Sequence, residues 1–169
     1  NNLVLRNGAI MQVGRYPNAN AASSGYLTYK ASTKSSITGP ALSSTTNWTG
    51  AEVTIRDTRY TIVHLPVKAH SGGTVSFASY GNTPYVNYGY FFQRDSRTLD
   101  QDGEWWQDGS NNKLRMYFGS ANHSGYTVKA SSVDTLENIT GTKYVTFAHI
   151  ASYVGDVTAS QVNTSNNVP

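Results

Sequence analysis

Thr74-Val-Ser-Phe-Ala-Ser-Tyr80, Gly81-Asn-Thr-Pro84 and Tyr85-Val-Asn-Tyr-Gly-Tyr-Phe-Phe92 form one continuous stretch, and its reading decides the fold class. In the first part Val75, Phe77 and Ser79 fall on one face, the two-residue period of a half-buried strand. The Gly-Asn-Thr-Pro cluster then breaks the strand, because glycine and asparagine suit turns and proline cannot continue a ladder. The aromatic and β-branched run that follows predicts a second strand.

The same pattern continues on both sides. Downstream, strands are predicted at Leu114–Phe118, ended by Gly119, at Tyr126–Ala130, entered through Ser124-Gly125, and at Tyr144–Tyr153, the longest. Upstream they are predicted at Leu3–Leu5, Ile10–Val13, Tyr26–Tyr29, Glu52–Arg56 and Arg59–Leu65, with Pro17–Ser24 and Ala31–Asn47 read as loops of small polar residues. Helix-forming runs at 3.6-residue spacing are missing, and Ser132–Asn138 suggests one short turn at most. Many short strands separated by turn signals predict an all-β fold, an antiparallel β-sandwich of jelly-roll or lectin-like type with long loops.

The chain has 169 residues. A chain of this length can bury a sizeable core without staples. The expected organisation is one β-sandwich domain over residues 1–160, within which 1–70 can stand as a separate N-terminal sub-region, followed by a polar tail over 161–169. There is no cysteine, which excludes disulfides and thiolate metal sites. Charged residues are only 14% and the formal net charge is +3, with the thirteen basic residues scattered. Nucleic acid is therefore not an expected partner. No segment approaches the roughly 20 apolar residues that span a bilayer, so membrane insertion is not expected either. The chain begins at Asn1 with no initiator methionine and no signal-peptide pattern, which suggests a processed fragment.

A neutral surface rich in Ser, Thr, Asn, Gly and Tyr suits a polyhydroxylated partner, or another copy of the chain. The most informative stretch for binding is Asp100-Gln-Asp-Gly-Glu-Trp-Trp-Gln-Asp-Gly-Ser-Asn-Asn112, which holds four of ten acidic residues and two of three tryptophans. Sugar recognition needs flat aromatic faces for C–H surfaces and polar side chains for hydroxyls. The candidate ligand-binding residues are therefore Trp105, Trp106, Asp102, Asp108, Asn111 and Asn112, with His123 in a nearby turn. The opposing reading makes one tryptophan a core residue and leaves the carboxylates to solubilise a long hairpin. Asp100-x-Asp102-Gly103 also invites a Ca²⁺ reading, but the remaining ligand positions of a calcium loop are missing, and no cofactor or metal is expected.

No catalytic pattern emerges. The loop carboxylates could reach the separation that glycoside hydrolysis uses, but nothing in the sequence signals the apolar burial that would raise one pKa. No Gly-x-Ser-x-Gly elbow occurs, and His64, His70, His123 and His149 lack metal-binding spacing. His149 reads as a satisfied sheet or interface residue. Tyr80, Tyr85, Tyr88 and Tyr90 cluster around Pro84; alternate ones are expected to face the core and the others to pack between subunits, with a binding rim as the alternative. Four Asn-x-Ser/Thr sequons, at Asn47, Asn122, Asn138 and Asn163, carry no weight in a chain so rich in these residues.

The segment Thr74–Tyr153 resembles the H-type lectin pattern and the receptor-binding tips of bacteriophage tail fibres and tailspikes. The resemblance rests on Phe77, Tyr80, Thr83-Pro84-Tyr85-Val86, Leu114–Phe118, Ser124–Val128 and Tyr144–Ala151. The opening Asn2-Leu-Val-Leu-Arg-Asn-Gly8 with Met11-Gln12 is similar to the start of phage fibre modules and jelly-roll carbohydrate-binding modules. Two tryptophans of the H-type lectin pattern are absent here, on Val128–Ser131 and in the closing strand, so that family's sugar contacts do not transfer. What the resemblance implies is a homotrimer with sugar sites near the subunit borders; the function expected is non-catalytic recognition of a cell-surface glycan or polysaccharide by a viral fibre tip, at the virion surface or otherwise outside the cell. The other classes weighed are an accessory carbohydrate-binding module of a secreted polysaccharide-degrading enzyme and a structural trimerisation or capping domain of a fibre.

Overall fold

The computed structural model describes residues 3–43, 46–131, 135–138 and 156–158. Its strands, in chain order, are β1 (Val4–Arg6), β2 (Ala9–Met11), β3 (Arg15–Tyr16), β4 (Leu27–Thr28), β5 (Ala31–Thr33), β6 (Ser36–Thr38), β7 (Glu52–Arg56), β8 (Ile62–Pro66), β9 (Ala69–Ser71), β10 (Thr74–Ser76), β11 (Gly89–Gln93), β12 (Trp105–Asp108), β13 (Lys113–Met116), β14 (Val128–Ala130), β15 (Thr135–Asn138) and β16 (Asp156–Thr158). The fold is all-β, as the alternation predicts. No helix among the described residues is long and apolar enough to cross a membrane.

Two compact units divide the chain, Gln12–Ser124 and Asn1–Met11 with Gly125–Pro169. In the second of these, β1 pairs antiparallel with β2 on one side and with β14 on the other. The β1–β2 turn runs through Asn7 and Gly8, both at positive φ, where glycine fits without strain. β15 and β16 pair in parallel.

The larger unit, Gln12–Ser124, is a sandwich. One sheet runs β3-β11-β7-β8, with β4 also paired to β11. The other runs β5-β6-β10-β9, antiparallel throughout. Along β7 and β11 the pleat sends Val53, Ile55, Tyr90 and Phe92 inward, where all four are fully buried. They meet Ile37 and Val75 from the second sheet, together with Tyr29, Leu42, Trp48 and Phe77, in one apolar cluster. Each such side chain contributes about 1.5–3 kcal/mol relative to exposure. The opposite pleat positions, Glu52, Thr54 and Arg56 on β7 and Gly89, Phe91 and Gln93 on β11, form the outer face.

Several predicted boundaries shift. Glu52–Arg56 is a strand over its whole predicted length, whereas the strand predicted over Tyr85–Phe92 forms only at Gly89–Gln93. The segment before it is held as a loop, by the Tyr85 amide on Asp57 O at 2.8 Å and the Asn87 amide on Tyr29 O at 3.0 Å. Two stretches read as loops contain strands: Ala31–Asn47 carries β5 and β6, and Asp100–Asn112 carries β12. In β5 and β6 the polar residues face out while Ile37 alone anchors the core, too weak an apolar pattern to register. Leu136 and its neighbours form β15 rather than a helical turn. The predicted strand Tyr144–Tyr153, with His149, and the tail 161–169 lie outside the described residues. Among the four clustered tyrosines, Tyr90 is fully buried, Tyr80 and Tyr88 pack against the core, and Tyr85 is exposed.

Candidate functional site

The Asp100–Asn112 stretch folds as the ascending arm and turn of the β12–β13 hairpin, in register Trp105–Met116 to Asp108–Lys113. Trp105 is 3% exposed, so its ring offers no sugar platform. Its backbone is tied on both sides: its amide donates to Gln12 O at 3.1 Å, and its carbonyl accepts from Gly14 N at 2.8 Å. Trp106 is half-buried, and the guanidinium of its cross-strand partner Arg115 lies 5.8 Å from its ring centre.

Asp108 is also consumed by the hairpin. It is 2% exposed. It accepts from Ser110 Oγ at 2.7 Å, Asn111 Nδ2 at 2.9 Å, the Asn111 amide at 3.3 Å and Arg115 Nε at 2.9 Å. The hydrogen bonds from Ser110 and Asn111 hold this carboxyl far below its usual range against the opposing effect of burial, and Arg115 adds to them. Asn111 is thereby spent on Asp108. Asn112 is exposed in the left-handed region at φ 50°. Asp102 is exposed in the preceding turn, and His123 is exposed with its ring edge-on to Phe118. The hairpin thus gathers Trp106, Asp108 and Asn111, but as a self-satisfied turn.

The sequence signalled no buried carboxylate, yet Glu104 is 4% exposed. Its Oε2 accepts from the amides of Asp100 at 3.0 Å and Gln101 at 2.9 Å, and its Oε1 lies 3.5 Å from the Arg15 amide. Burial raises its pKa, and these hydrogen bonds only partly offset the rise. It closes the 100–103 turn from inside. Among the described residues no three His, Asp or Glu side chains group as metal ligands.

A different surface has the geometry of a site. The outer face of β4, β11, β7 and β8 carries a groove of about 500 Å³. Phe91 and Thr54, cross-strand partners, lie in its floor. Gly89 faces Thr28 there, and a Cβ at Gly89 would stand 3.0 Å from the Tyr26 ring. The missing side chain lets Tyr26 lie down against the strand. Tyr26 meets Phe91 edge-on at 5.7 Å, and Arg15 spans both rings, 3.8 Å from the Phe91 centre and 5.1 Å from that of Tyr26. Arg15 is itself fixed by the carbonyls of Gly25 and Pro17.

The β7–β8 turn forms the far wall. Tyr60, 86% exposed, and Ile62, 57% exposed, stand on it. Hydrogen bonds cross-brace the turn. Asp57, 1% exposed, accepts from Thr61 Oγ1, and the Asp57 amide donates to Thr61 O at 3.2 Å. Tyr80 reaches the other Asp57 oxygen at 3.5 Å; burial and the Asp57 charge push the Tyr80 hydroxyl up to about 12. Beneath, the Tyr29 hydroxyl donates toward Arg56 O at 3.0 Å and Tyr85 O at 2.7 Å, and burial raises its pKa. Arg56 donates to Arg59 O at 2.8 Å and lies 5.0 Å from the Tyr88 ring centre. Ser23, on the near wall, holds φ 58°. The same sheet face ends in a self-paired polar cluster, where Glu52 accepts from Gln93 at 2.6 Å and faces His64 at 3.3 Å and Arg94 at 3.6 Å.

Sequence reasoning missed this groove because its members come from three separated segments, around residues 23–28, 54–62 and 89–91. Tyr60 is predicted inside a strand over Arg59–Leu65, whereas β8 begins only at Ile62 and Tyr60 stands in the turn before it. No protein-family model and no curated protein matches the chain. A solved structure titled "Glycoside hydrolase" is similar to it, with a TM-score of 0.59 and 14% identity, over 81% of this chain and 27% of that one. The likeness is one of fold, and this chain spans about a quarter of that protein's length.

Proposed function

We propose that this chain is a non-catalytic carbohydrate-recognition module and that it binds glycan in the outer-face groove between Tyr26 and Tyr60. The observation that carries the reading is the pairing of exposed rings, Tyr26 and Tyr60, across a groove on the outer face of the sheet. Tyr60 at 86% exposure has no packing role that would account for it. Ser23 and Thr28 supply exposed hydroxyls on the near wall, while the hydroxyls of Thr54 and Thr61 are engaged by His64 and Asp57. Sugars are held by stacking of C–H faces on such rings and by hydrogen bonds around their rim. Support for binding without hydrolysis comes from the lining. Hydrolysis uses two carboxylates about 5–10 Å apart across a cleft, and the groove lining contains none. The similarity to part of a glycoside hydrolase favours an accessory module within a larger glycan-processing protein.

The test is retention on immobilised polysaccharides, with Tyr60→Ala and Tyr26→Ala as probes. Loss of retention in both variants at unchanged melting temperature supports the reading. Retention of neither protein nor variants on any polysaccharide, or release of reducing ends on incubation, overturns it.

The fibre-tip reading stands second, on the exposure of Tyr85 at 61% and Val86 at 48%, apolar positions that a neighbouring subunit would cover. Sedimentation separates the two: a stable trimer favours the fibre, a monomer the accessory module.

A further inference from the structure

We infer that the ligand of this groove is an anionic glycan, a uronic-acid polymer, whose carboxylates are received by Arg56 and Arg59. The inference rests on the glycan reading above and goes further by naming the ligand class.

The argument is one of unbalanced charge. Arg56 and Arg59 both line the groove. Both are exposed, and neither forms an ion pair among the described residues. Of the four other arginines on this unit, three are matched by carboxylates, Arg97 with Asp95 at 2.6 Å, Arg115 with Asp108 at 2.9 Å and Arg94 with Glu52 at 3.6 Å, and the fourth, Arg15, is held by the carbonyls of Pro17 and Gly25. The one carboxylate adjacent to the groove wall, Asp57, is buried and turned to Thr61 and Tyr80. Arg56 is also pre-oriented. Its hydrogen bond to Arg59 O and its place over the Tyr88 ring fix the guanidinium without neutralising it. Guanidinium planes bind carboxylates in bidentate fashion, stronger than neutral hydrogen bonds. The Arg59 guanidinium lies 5.7 Å from the Tyr60 ring centre and Arg56 is tied to Arg59 O, so the carboxylate of a pyranose stacked on Tyr60 meets Arg59 first, with Arg56 next to it along the wall. A neutral sugar would leave those charges unanswered. Nucleobases also stack on tyrosine, but the scattered basic residues give no track for successive phosphates.

Affinity electrophoresis tests this with polygalacturonate, alginate and hyaluronan, each beside its carboxyl-reduced form, and with neutral polysaccharides. The expected result is retardation by at least one acidic polymer, loss of it on carboxyl reduction, and a weakening of about tenfold or more in Arg56→Gln/Arg59→Gln. That double variant gives up the exposed Arg56 bond to Arg59 O and the contact with Tyr88, so a small drop in melting temperature is expected and is measured beside binding. Equal binding of acidic and reduced forms, or of neutral polysaccharides alone, overturns the anionic assignment and leaves the glycan reading standing. Binding to no polysaccharide removes both. Tighter binding of a single-stranded oligonucleotide than of any polysaccharide overturns the assignment in favour of nucleic acid.

Discussion

The indole of Trp48 lies parallel to the ring of Phe92, 4.4 Å centre to centre with 8° between the planes. Tyr16 also stacks with the indole, at 5.1 Å and 28°, and the Arg97 guanidinium sits 5.5 Å from it. The Trp48 amide donates to His70 Nδ1 at 3.1 Å, so His70 Nε2 carries the proton and donates to Leu42 O at 2.7 Å. This tryptophan, which attracted no attention in the sequence, pins the β7–β11 sheet to the 3₁₀ turn Pro40–Ser43 that holds Leu42. Trp48→Ala is expected to cost about 3–5 kcal/mol, and Trp48→Phe distinctly less. Urea denaturation with unchanged m-value checks it.

Tyr90 is fully buried, and its hydroxyl has no hydrogen-bond partner. Burial raises its pKa. A buried, unmatched hydroxyl costs stability, while the ring still packs 5.7 Å from Phe92 and 6.2 Å from Tyr29. Tyr90→Phe is therefore expected to be neutral or to stabilise by up to about 1 kcal/mol. A measured loss above that would mean the hydroxyl is satisfied in solution.

Glu104 and Asp95 give opposite pH signatures. Burial raises the Glu104 pKa above its unfolded value, so its contribution is fully present at low pH and is lost as pH rises through the folded pKa. For Asp95, burial alone would raise the pKa, but the hydrogen bonds and charge of Arg97 together outweigh it and lower the value. Its contribution is present above the unfolded pKa of about 4 and is lost as pH falls through the folded one. Glu104→Gln should thus gain on the parent as pH rises from about 4, and Asp95→Asn should approach the parent as pH falls. Glu104→Ala, which strips the acceptor from the amides of Asp100 and Gln101, is expected to cost about 1–3 kcal/mol at all pH. Thermal melts across this pH range read all three.

How much the sequence revealed depended on how local each signal was. Glu52–Arg56 alternates polar and apolar residues and forms its whole predicted strand, with Val53 and Ile55 in the core, although Thr54 between them is buried on the other face. β12 was hidden because its inward and outward residues do not alternate by hydropathy: Trp105 and Asp108 are both buried, the second only because Ser110, Asn111 and Arg115 satisfy it. The two tryptophans and the acidic residues did mark a structured place, and the opposing reading, a core tryptophan in a hairpin, describes Trp105. Exposure of a tryptophan is not written in its neighbours; it depends on Gln12 and Gly14 arriving from far along the chain. The groove is legible only after β4, β7, β8 and β11 pair, since no window of sequence holds both Tyr26 and Tyr60.

The two surfaces make separable demands, which sets the last prediction. Trp105→Ala empties a buried site and should cost about 3–5 kcal/mol, so any lost binding in that variant reports unfolding. Trp106→Ala removes a half-buried ring capped by Arg115 and is expected to cost about 1–2 kcal/mol while leaving glycan retention intact. Tyr60→Ala alters a side chain 86% exposed, so stability should stay within about 0.5 kcal/mol while retention falls about tenfold or more, the loss of one stacking platform. Retention measured beside melting temperature for the three variants decides between the surfaces. If Trp106→Ala releases the glycan and Tyr60→Ala does not, the hairpin is the site and the groove is not.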